Sequence, residues 1–335
     1  MSVPTSEKLA QIAAVHTAIK TELGKVIVGQ DDVIHQVLTV LLSRGHCLLL
    51  GVPGLAKTLL VRSLGEVLDL DFNRVQFTPD LMPSDITGTE ILDEESGSTR
   101  RSLRFVPGPV FTNLLLADEI NRTPPKTQAA LLEAMQEYVV TTGGRSIPIP
   151  QPFFVLATQN PIEQEGTYPL PEAQLDRFMF LIRMAYPQRT EEMQILRQTT
   201  TNRDVALTRQ VDGATLLDVQ RCVRDIPVSE HVLGYCIDLV RNTRPAEASA
   251  PEFVRANLSY GAGPRAGQYL VLAAKATAAL DGRLNVCCAD VRRNAHAVLG
   301  HRIACNFHAT GEGIDATQII DRLLQQVPEP DSAGA

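Results

Sequence analysis

The chain has 335 residues, of which 44% are hydrophobic and 21% charged, and its formal net charge at pH 7 is −7. This length allows two domains with separate cores, and the composition is that of a globular protein. The negative charge argues against general attraction to nucleic acid or to an anionic membrane. The sequence shows no signal-peptide segment and no apolar run of the roughly 18 residues that a membrane span needs, so a cytoplasmic protein without membrane insertion is expected.

The first part of the chain predicts helices followed by a parallel sheet. Apolar residues recur with a helical period from Glu7 to Leu23, and a second helix, capped by Asp31, carries an apolar stripe that ends before Gly45. Five later segments predict the strands of one sheet: 47–50, 72–77, 114–117, 153–157 and 178–182.

Two segments interrupt the alternation of strands and helices. Segment 78–110 contains two short strand-like pieces and predicts a helix interrupted by an inserted hairpin or loop, with a plain surface excursion as the alternative. Segment 138–150 has the pattern of a hairpin. Past Pro187 helical segments dominate, which predicts a core at 1–187, a helical lid at 188–327 and a polar tail at 328–335.

The stretch after the first apolar run, Gly51-Val52-Pro53-Gly54-Leu55-Ala56-Lys57-Thr58, is typical of a loop that cradles phosphate. Its glycines let backbone N–H groups converge on an anion, and the following helix adds a partial positive charge. Lys57 is placed to reach the β- and γ-phosphates, and Thr58 to ligate Mg²⁺. The glycine usual before the lysine is Ala56 here, and this small side chain is expected to tolerate the helical turn that begins there. The alternative is an ordinary Gly/Pro turn.

Polar residues follow two of the buried strands. Asp118 and Glu119 come directly after the run at 114–117, and Asn160 stands at the end of the strand at 153–157. The carboxyl ends of parallel strands share one sheet edge, where open α/β folds bind ligands. There one acid can orient hydrated Mg²⁺, the next can polarise the attacking water, and Asn160 can hold that water or the γ-phosphate. The alternatives are an ordinary acidic loop and an Asn-Pro turn.

Two arginines are candidates for contact with phosphate. Arg177 ends a predicted short helix, where it suits the helix dipole or serves as an arginine finger for a neighbouring subunit. Arg265 follows Gly263-Pro264 at a predicted helix start, where a cation is mildly unfavourable unless an anion binds nearby. Arg265 is therefore a candidate phosphate sensor from the lid.

These motifs together resemble the MoxR family of AAA+ ATPases. The resemblance covers most of residues 20–310, and it implies an α/β fold: a parallel five-stranded P-loop sheet with helices on both faces, followed by an all-helical lid. Ala56 is usual in this family. The matching stretches are Gly51–Thr58, Leu114–Arg122, Ala157–Pro161, Gln164–Phe178 and Gly261–Arg265.

The resemblance also implies a role for each candidate residue. The helix-2 insert would be 78–110 and the hairpin before sensor 1 would be 138–150, both facing the pore of a ring. The implied nucleotide contacts and catalytic roles are adenine contact for Val28 and Gly29, Walker A for Gly51–Thr58 with Leu59 beside the nucleotide, Walker B for Asp118 and Glu119, sensor 1 for Asn160, the finger for Arg177 and sensor 2 for Arg265.

The function implied by the resemblance is ATP- and Mg²⁺-dependent remodelling or maturation of a client protein complex by a homo-oligomeric, hexameric ring. Many relatives work with a protein that carries a von Willebrand factor A domain. This chain has no Asp-x-Ser-x-Ser metal motif, so that partner would be a separate protein. No nucleic-acid partner is expected.

Two other functions stay open from the sequence. A nucleic-acid motor needs cations on its inserts, and a nucleotide-dependent switch with little turnover is disfavoured because all expected catalytic groups are present. The segment 138–150 offers a motor only Arg145. In segment 78–110 the positive charges of Arg100, Arg101 and Arg104 are offset by the negative charges of Asp93, Glu94 and Glu95.

Overall fold

The structure, a computed structural model, describes residues 4–94, 101–161, 166–202 and 205–330. Residues 95–100 of the insert at 78–110, Gln164 and Glu165 of the matching stretch Gln164–Phe178, and residues 331–335 of the tail lie outside the described residues. The strands, numbered in chain order, are β1 (Cys47–Leu50), β2 (Phe72–Gln76), β3 (Gly88–Glu94), β4 (Arg101–Pro107), β5 (Leu114–Asp118), β6 (Val139–Thr142), β7 (Arg145–Pro148), β8 (Phe154–Gln159), β9 (Phe180–Arg183), β10 (Leu258–Tyr260) and β11 (Ala304–Cys305).

Helices make up most of the remaining described residues. A 3-10 turn at Ile120–Arg122 adds to them. The helices are α1 (Ser6–Leu23), α2 (Asp31–Leu42), α3 (Lys57–Val67), α4 (Pro83–Thr87), α5 (Pro125–Glu137), α6 (Glu172–Leu175), α7 (Arg189–Thr199), α8 (Gly213–Asp225), α9 (Glu230–Asn242), α10 (Glu252–Asn257), α11 (Pro264–Leu280), α12 (Cys288–Leu299), α13 (Phe307–Gly311) and α14 (Ala316–Gln326).

The centre of the molecule is a five-stranded sheet with the order β2-β5-β8-β1-β9, in which every neighbouring pair is parallel. Successive strand residues face opposite sides, so Leu48 packs into one buried cluster and Leu49 into the other. Helices α4 and α5 cover the first face. Helices α1–α3 and the C-terminal helices pack on the second face. The α/β class with a helical lid region, expected from the sequence, is therefore confirmed.

The first two helices are packed against the C-terminal half of the chain. The Ser43 hydroxyl, just after α2, donates to the Leu272 carbonyl of α11 at 3.2 Å. The Gln220 amide of α8 donates to the Leu41 carbonyl at 2.7 Å. One buried apolar cluster includes residues of α1, α2, α3, α8, α11 and α12. The division of the chain into a core and a lid at residue 187 stays a prediction.

Both predicted inserts contain hairpins. β3 and β4 are antiparallel and follow α4 directly, so segment 78–110 holds a short helix followed by a hairpin, and among its described residues no helix resumes after β4. β6 and β7 form the second hairpin around Gly143 and Gly144, both of which have positive φ. In the part of the chain that the structure describes, no helix combines the length and the apolar character needed to cross a membrane.

A few local features differ from the sequence-based predictions. The residue that caps α2 is Gln30, and Asp31 is the first helical residue, where its negative charge still suits the helix N-terminus. The short helix α6 ends at Leu175, before Arg177. The lid region also contains the antiparallel pair β10–β11. Strands of two or three residues are too short for periodicity to reveal, which is why the sequence did not predict them.

Candidate active site

The loop between β1 and α3 curls because of particular backbone conformations. Gly54 and Ala56 have φ angles of 89° and 59°, in the left-handed region. A Cβ on Gly51 would lie 2.9 Å from the Cβ of Met184, so this position accepts only glycine without displacing β9 and the residues after it. The loop leads into the N-terminus of α3, where free backbone N–H groups and the helix dipole favour an anion.

The structure corrects the reason why Ala56 is tolerated. Ala56 does not belong to the helical turn, because the helix begins at Lys57 and Ala56 precedes it with φ 59° and ψ 25°. An alanine in this conformation costs about 1 kcal/mol relative to a glycine. The loop geometry therefore imposes local backbone strain at the entrance to α3.

Lys57 lies inside this loop. Its ammonium donates to the Gly51 carbonyl at 2.5 Å, which folds the side chain back across the loop. Partial burial lowers the pKa of Lys57, while the negative charges of Asp118 and Glu119 act in the opposite direction. The structure thus brings the lysine and both predicted acids into one electrostatic neighbourhood, and Thr58 follows as the second residue of α3.

The two acids are held by a hydroxyl from the neighbouring strand. Thr158 of β8 is fully buried, and its Oγ1 donates to Asp118 Oδ1 at 2.6 Å. The same Oγ1 accepts the backbone N–H of Glu119 at 2.9 Å. Glu119 itself has a left-handed backbone, with φ 57°. Thr158 was not among the predicted site residues, although its place directly before Gln159 and Asn160 at a strand end was a usable signal.

Each acid also contacts groups on its other side. Arg74 of β2 donates to Asp118 Oδ2 at 2.7 Å. Glu119 Oε2 accepts from the Gln76 amide at 2.8 Å and from Arg122 at 3.0 Å. The parallel pairing of β2 with β5 places Gln76 opposite Asp118, which explains why β2 supplies two of these donors.

Asn160 lies at the same sheet edge, as predicted. It follows the last residue of β8 and is 5% exposed. The backbone N–H of Gly51 donates to the Gln159 carbonyl at 3.4 Å, so the end of β8 is joined to the start of the phosphate loop. Asn160 therefore belongs to the same corner of the molecule as the loop and the acids.

A cavity of about 500 Å³ opens beside the loop. Several predicted contact residues line it, whereas Gly29 does not. A Cβ on Gly29 would lie 2.4 Å from the carboxylate carbon of Glu191, at the movable end of that side chain, and the φ of 72° is the stronger reason for a glycine here. The predicted contact residues that line the cavity are Val28, Pro53, Gly54, Leu55, Ala56 and Leu59. Tyr186, Ile195 and Leu196 also line it and were not predicted from the sequence.

Arg177 and Arg265 lie elsewhere. Arg265 Nη1 donates to Asp176 Oδ2 at 3.1 Å, next to the half-buried Arg177, and neither arginine lines the cavity beside the loop. The Met179 N–H bonds to the His46 carbonyl just before β1. The segment that carries Arg177 therefore enters the sheet at its amino edge, whereas the phosphate loop leaves β1 at the carboxyl edge.

Comparisons with known proteins identify the family. Residues 46–180 match the model for the ATPase family associated with various cellular activities (AAA), and residues 252–323 match the AAA lid domain. The chain is 43% identical over 321 residues to Chaperone MoxR1 of Mycobacterium tuberculosis, covering 95% of this chain and 84% of that one. It is 33% identical over 328 residues to Protein MoxR of Methylorubrum extorquens, covering 92% of each.

The chain belongs to the MoxR family of AAA ATPases. A solved structure agrees with this assignment: the crystal structure of a protein from Cytophaga hutchinsonii superposes with a TM-score of 0.89 and 43% identity, covering 97% of this chain and 98% of that one. The resemblance seen in the sequence is therefore confirmed. Membership of an AAA ATPase family implies that this MoxR-family protein binds and hydrolyses ATP.

Proposed function

We propose that this MoxR-family protein is an ATP-driven chaperone that assembles into a ring, with each ATP hydrolysed between two protomers. The observation that carries the proposal is the convergence of the Gly51–Thr58 loop, Lys57 and the Asp118–Glu119 pair at one sheet edge. One relative is named a chaperone, which supports protein complexes as the clients. A hexamer, a separate partner with a von Willebrand factor A domain and a cytoplasmic location follow from the family resemblance.

The cavity beside the loop suits the nucleoside part of ATP. Its walls include apolar side chains from the α1–α2 connection and from α7, among them Val28, Ile195 and Leu196. Apolar walls suit a flat base, and the adjoining loop and helix N-terminus suit its phosphates. The cavity and the loop together therefore fit one elongated ligand with an apolar end and an anionic end.

The residues present fit a Mg²⁺ ion. Thr58 and Asp118 offer a hydroxyl and a carboxylate, a small oxygen set of the kind Mg²⁺ uses when phosphate oxygens and waters complete its octahedron. A bound Mg²⁺ neutralises charge that develops on the phosphates. Asp118 Oδ1 is fixed by Thr158, whereas Oδ2 faces Arg74. Asp118 is therefore placed to orient the ion or its waters, and Arg74 is the cation that competes with the ion for the Asp118 carboxylate.

Hydrolysis requires a base and a way to stabilise the transferring phosphoryl group. Glu119 is the proposed base for the attacking water, and Asn160 holds that water or the γ-phosphate. Arg177 lies on a segment that enters the sheet at the edge opposite the phosphate loop. Arg177 is therefore proposed to act on the nucleotide of a neighbouring protomer, and Arg265 is proposed to sense phosphate from the lid region.

The proposal predicts three separable phenotypes. Lys57→Ala should abolish ATP binding, because the ammonium that neutralises the phosphates is lost. Glu119→Gln should retain ATP binding and lose turnover by a factor of about 100 or more, as expected for loss of a general base. Arg177→Ala should also bind ATP and lose turnover of similar size. Calorimetry with ATP and Mg²⁺ measures binding, and phosphate release measures turnover. The mass of the assembly shows whether each variant still forms the oligomer.

Glu133→Gln is the matched control for Glu119→Gln, because Glu133 is an exposed acid on α5 away from the site. It should leave ATP binding and turnover unchanged. Full turnover by Glu119→Gln, or by a monomeric Arg177→Ala protein, would contradict the proposed mechanism. Strong stimulation of turnover by DNA or RNA would instead favour a nucleic-acid motor.

A further inference from the structure

The segment that carries Arg177 is hydrogen-bonded by a buried arginine from the lid region. Arg302 is 3% exposed and follows α12. Its Nε donates to Asp176 Oδ1 at 2.8 Å, and its Nη2 donates to the Asp176 carbonyl at 2.9 Å. Nη2 also donates to the Phe178 carbonyl, and Nη1 donates to the Met179 carbonyl at 3.1 Å. The guanidinium thus binds the carbonyls on both sides of Arg177.

Two neighbours of Arg302 also bind backbone carbonyls of this segment. The Tyr269 hydroxyl of α11 donates to the carbonyl of Arg177 itself at 3.4 Å. The His301 ring lies 2.9 Å from the Phe178 carbonyl. The Tyr269 ring lies 5.0 Å from the Arg302 guanidinium carbon, which adds a cation–π contact. Four successive carbonyls, 176 to 179, are therefore held by residues that lie more than 90 positions later in the chain.

The geometry requires a guanidinium in particular. Arg302 makes its bonds in several directions from one planar group, which a lysine ammonium cannot reproduce. A buried ion pair such as Arg302–Asp176 gives little net stability, because desolvation offsets the attraction between the charges. Its benefit is a defined geometry of the segment, and the residue inside that segment is Arg177, whose side chain is left half-buried.

We propose that Arg302 is a positioning residue for Arg177: from the lid region, it fixes the backbone that presents Arg177 to the neighbouring protomer. The inference rests on the proposed action of Arg177 in trans. Asp176 links the two functions further, since its other oxygen, Oδ2, binds Arg265 at 3.1 Å. Arg302 and Arg265 thus bind the two carboxylate oxygens of the same residue, Asp176, directly before Arg177.

The test uses the full chain with Arg302→Lys, which keeps the charge and removes the forked geometry. Turnover should fall by about tenfold to a hundredfold, the size expected when a catalytic group is misplaced by about 1 Å. The affinity for ATP should stay unchanged, because the variant's own cavity is intact. Arg292→Lys is the matched control: Arg292 binds Tyr235 and the Leu324 carbonyl within the lid region, and its replacement should leave turnover close to wild type.

Mixed assemblies separate a positioning role from a merely structural one. Arg302→Lys protomers have intact acids, and Glu119→Gln protomers have an intact Arg177 segment. Mixing the two should give more turnover than the sum of the separate proteins, because Glu119→Gln protomers supply Arg177 to Arg302→Lys sites. The control is a chain that carries both Arg302→Lys and Glu119→Gln. Mixed with Arg302→Lys protomers it should restore no turnover, because it supplies no well-positioned Arg177.

The outcomes distinguish a failure of the positioning role of Arg302 from a failure of the action of Arg177 in trans. The positioning role would be overturned by wild-type turnover in Arg302→Lys or by weakened ATP binding in that variant. It would also be overturned if Arg302→Lys did not recover turnover on mixing with Glu119→Gln protomers while Arg177→Ala did. No recovery for Arg177→Ala itself would refute the trans mechanism on which the inference rests. If Arg302→Lys does not fold, Tyr269→Phe removes only the bond to the Arg177 carbonyl, and it should show a smaller loss with the same recovery.

Discussion

At the scale of single residues, the Thr158 hydroxyl organises the end of β5 that carries the two acids. It is the one group seen to contact both members of the acid pair among the described contacts, as donor to the Asp118 carboxylate and as acceptor from the Glu119 backbone. The hydroxyl fixes the Asp118 carboxylate and the backbone of Glu119, whereas Gln76 and Arg122 bind the Glu119 carboxylate.

Thr158→Val tests this arrangement, because valine has the same shape and no hydroxyl. The Glu119 N–H and the Asp118 carboxylate then lose a buried partner, which should cost about 1–3 kcal/mol of folding free energy. Turnover should fall by about tenfold or more as the Asp118 carboxylate and the backbone that carries Glu119 lose their fixed positions. Urea unfolding and phosphate release measure the two effects. Thr158→Ser retains the hydroxyl and should remain close to wild type in turnover; equal losses in both variants would contradict the role of the hydroxyl.

At the scale of secondary-structure elements, α7 is a wall of the cavity beside the phosphate loop. The helix has no fully buried residue, and Leu196 is 60% exposed although it is apolar. Gly29, whose φ of 72° favours glycine, lies beside the Glu191 side chain at the start of this helix. Leu196 lines the cavity, so a ligand bound there would cover it.

Leu196→Asp should weaken ATP binding by about tenfold, equivalent to about 1.4 kcal/mol, because it places a charge on an apolar wall. Turnover at saturating ATP should change little, since Leu196 is remote from the acids. Titration with ATP and phosphate release at saturation measure the two quantities. Met193→Asp is the matched control, because Met193 is an exposed apolar residue of the same helix that does not line the cavity. Equal weakening by both variants would argue against α7 as a wall of the nucleotide site.

At the scale of the whole molecule, buried histidines occur on both sides of the sheet and at the junction with the lid region. Burial lowers the pKa of His35 and of His46 to about 4, and it lowers the pKa of His301 as well. His46 accepts the Val155 N–H on one ring nitrogen and lies 3.0 Å from the Met135 carbonyl on the other, so its neutral form is bonded on both sides. Acid sensitivity is therefore spread over the fold.

Stability should fall as the pH is lowered from about 6.5 to about 4. In this window the unfolded chain binds protons that folded His46 does not, so protonation favours unfolding by up to about 1.4 kcal/mol per pH unit for each such histidine. Denaturant unfolding between pH 7 and pH 4 measures the slope. His46→Gln should reduce that slope, whereas replacement of the exposed His308 by glutamine should not. An unchanged slope in His46→Gln would remove this histidine as a cause.

The sequence predicts those parts of the molecule whose signals are local. The apolar strands, the phosphate loop and the acids at the end of β5 are each encoded within a few consecutive residues. The role of Arg302 has no such signal, because it bonds to Asp176 across 126 positions. Tyr186 and Leu196 likewise become cavity walls only when α7 packs beside the loop. The left-handed conformation of Ala56 was missed because alanine is not typical of it.

The packing of α1 and α2 against the C-terminal helices has a consequence for the biogenesis of the protein. These two helices are translated before α8 and α11, which belong to the same buried cluster as Leu9 and Leu41 and emerge from the ribosome much later. Domains generally fold as units during synthesis, and uncovered apolar surface is prone to aggregation. The nascent chain therefore exposes the apolar faces of two helices until α8 and α11 have been made, and its folding is expected to depend on chaperones that bind such surfaces during synthesis.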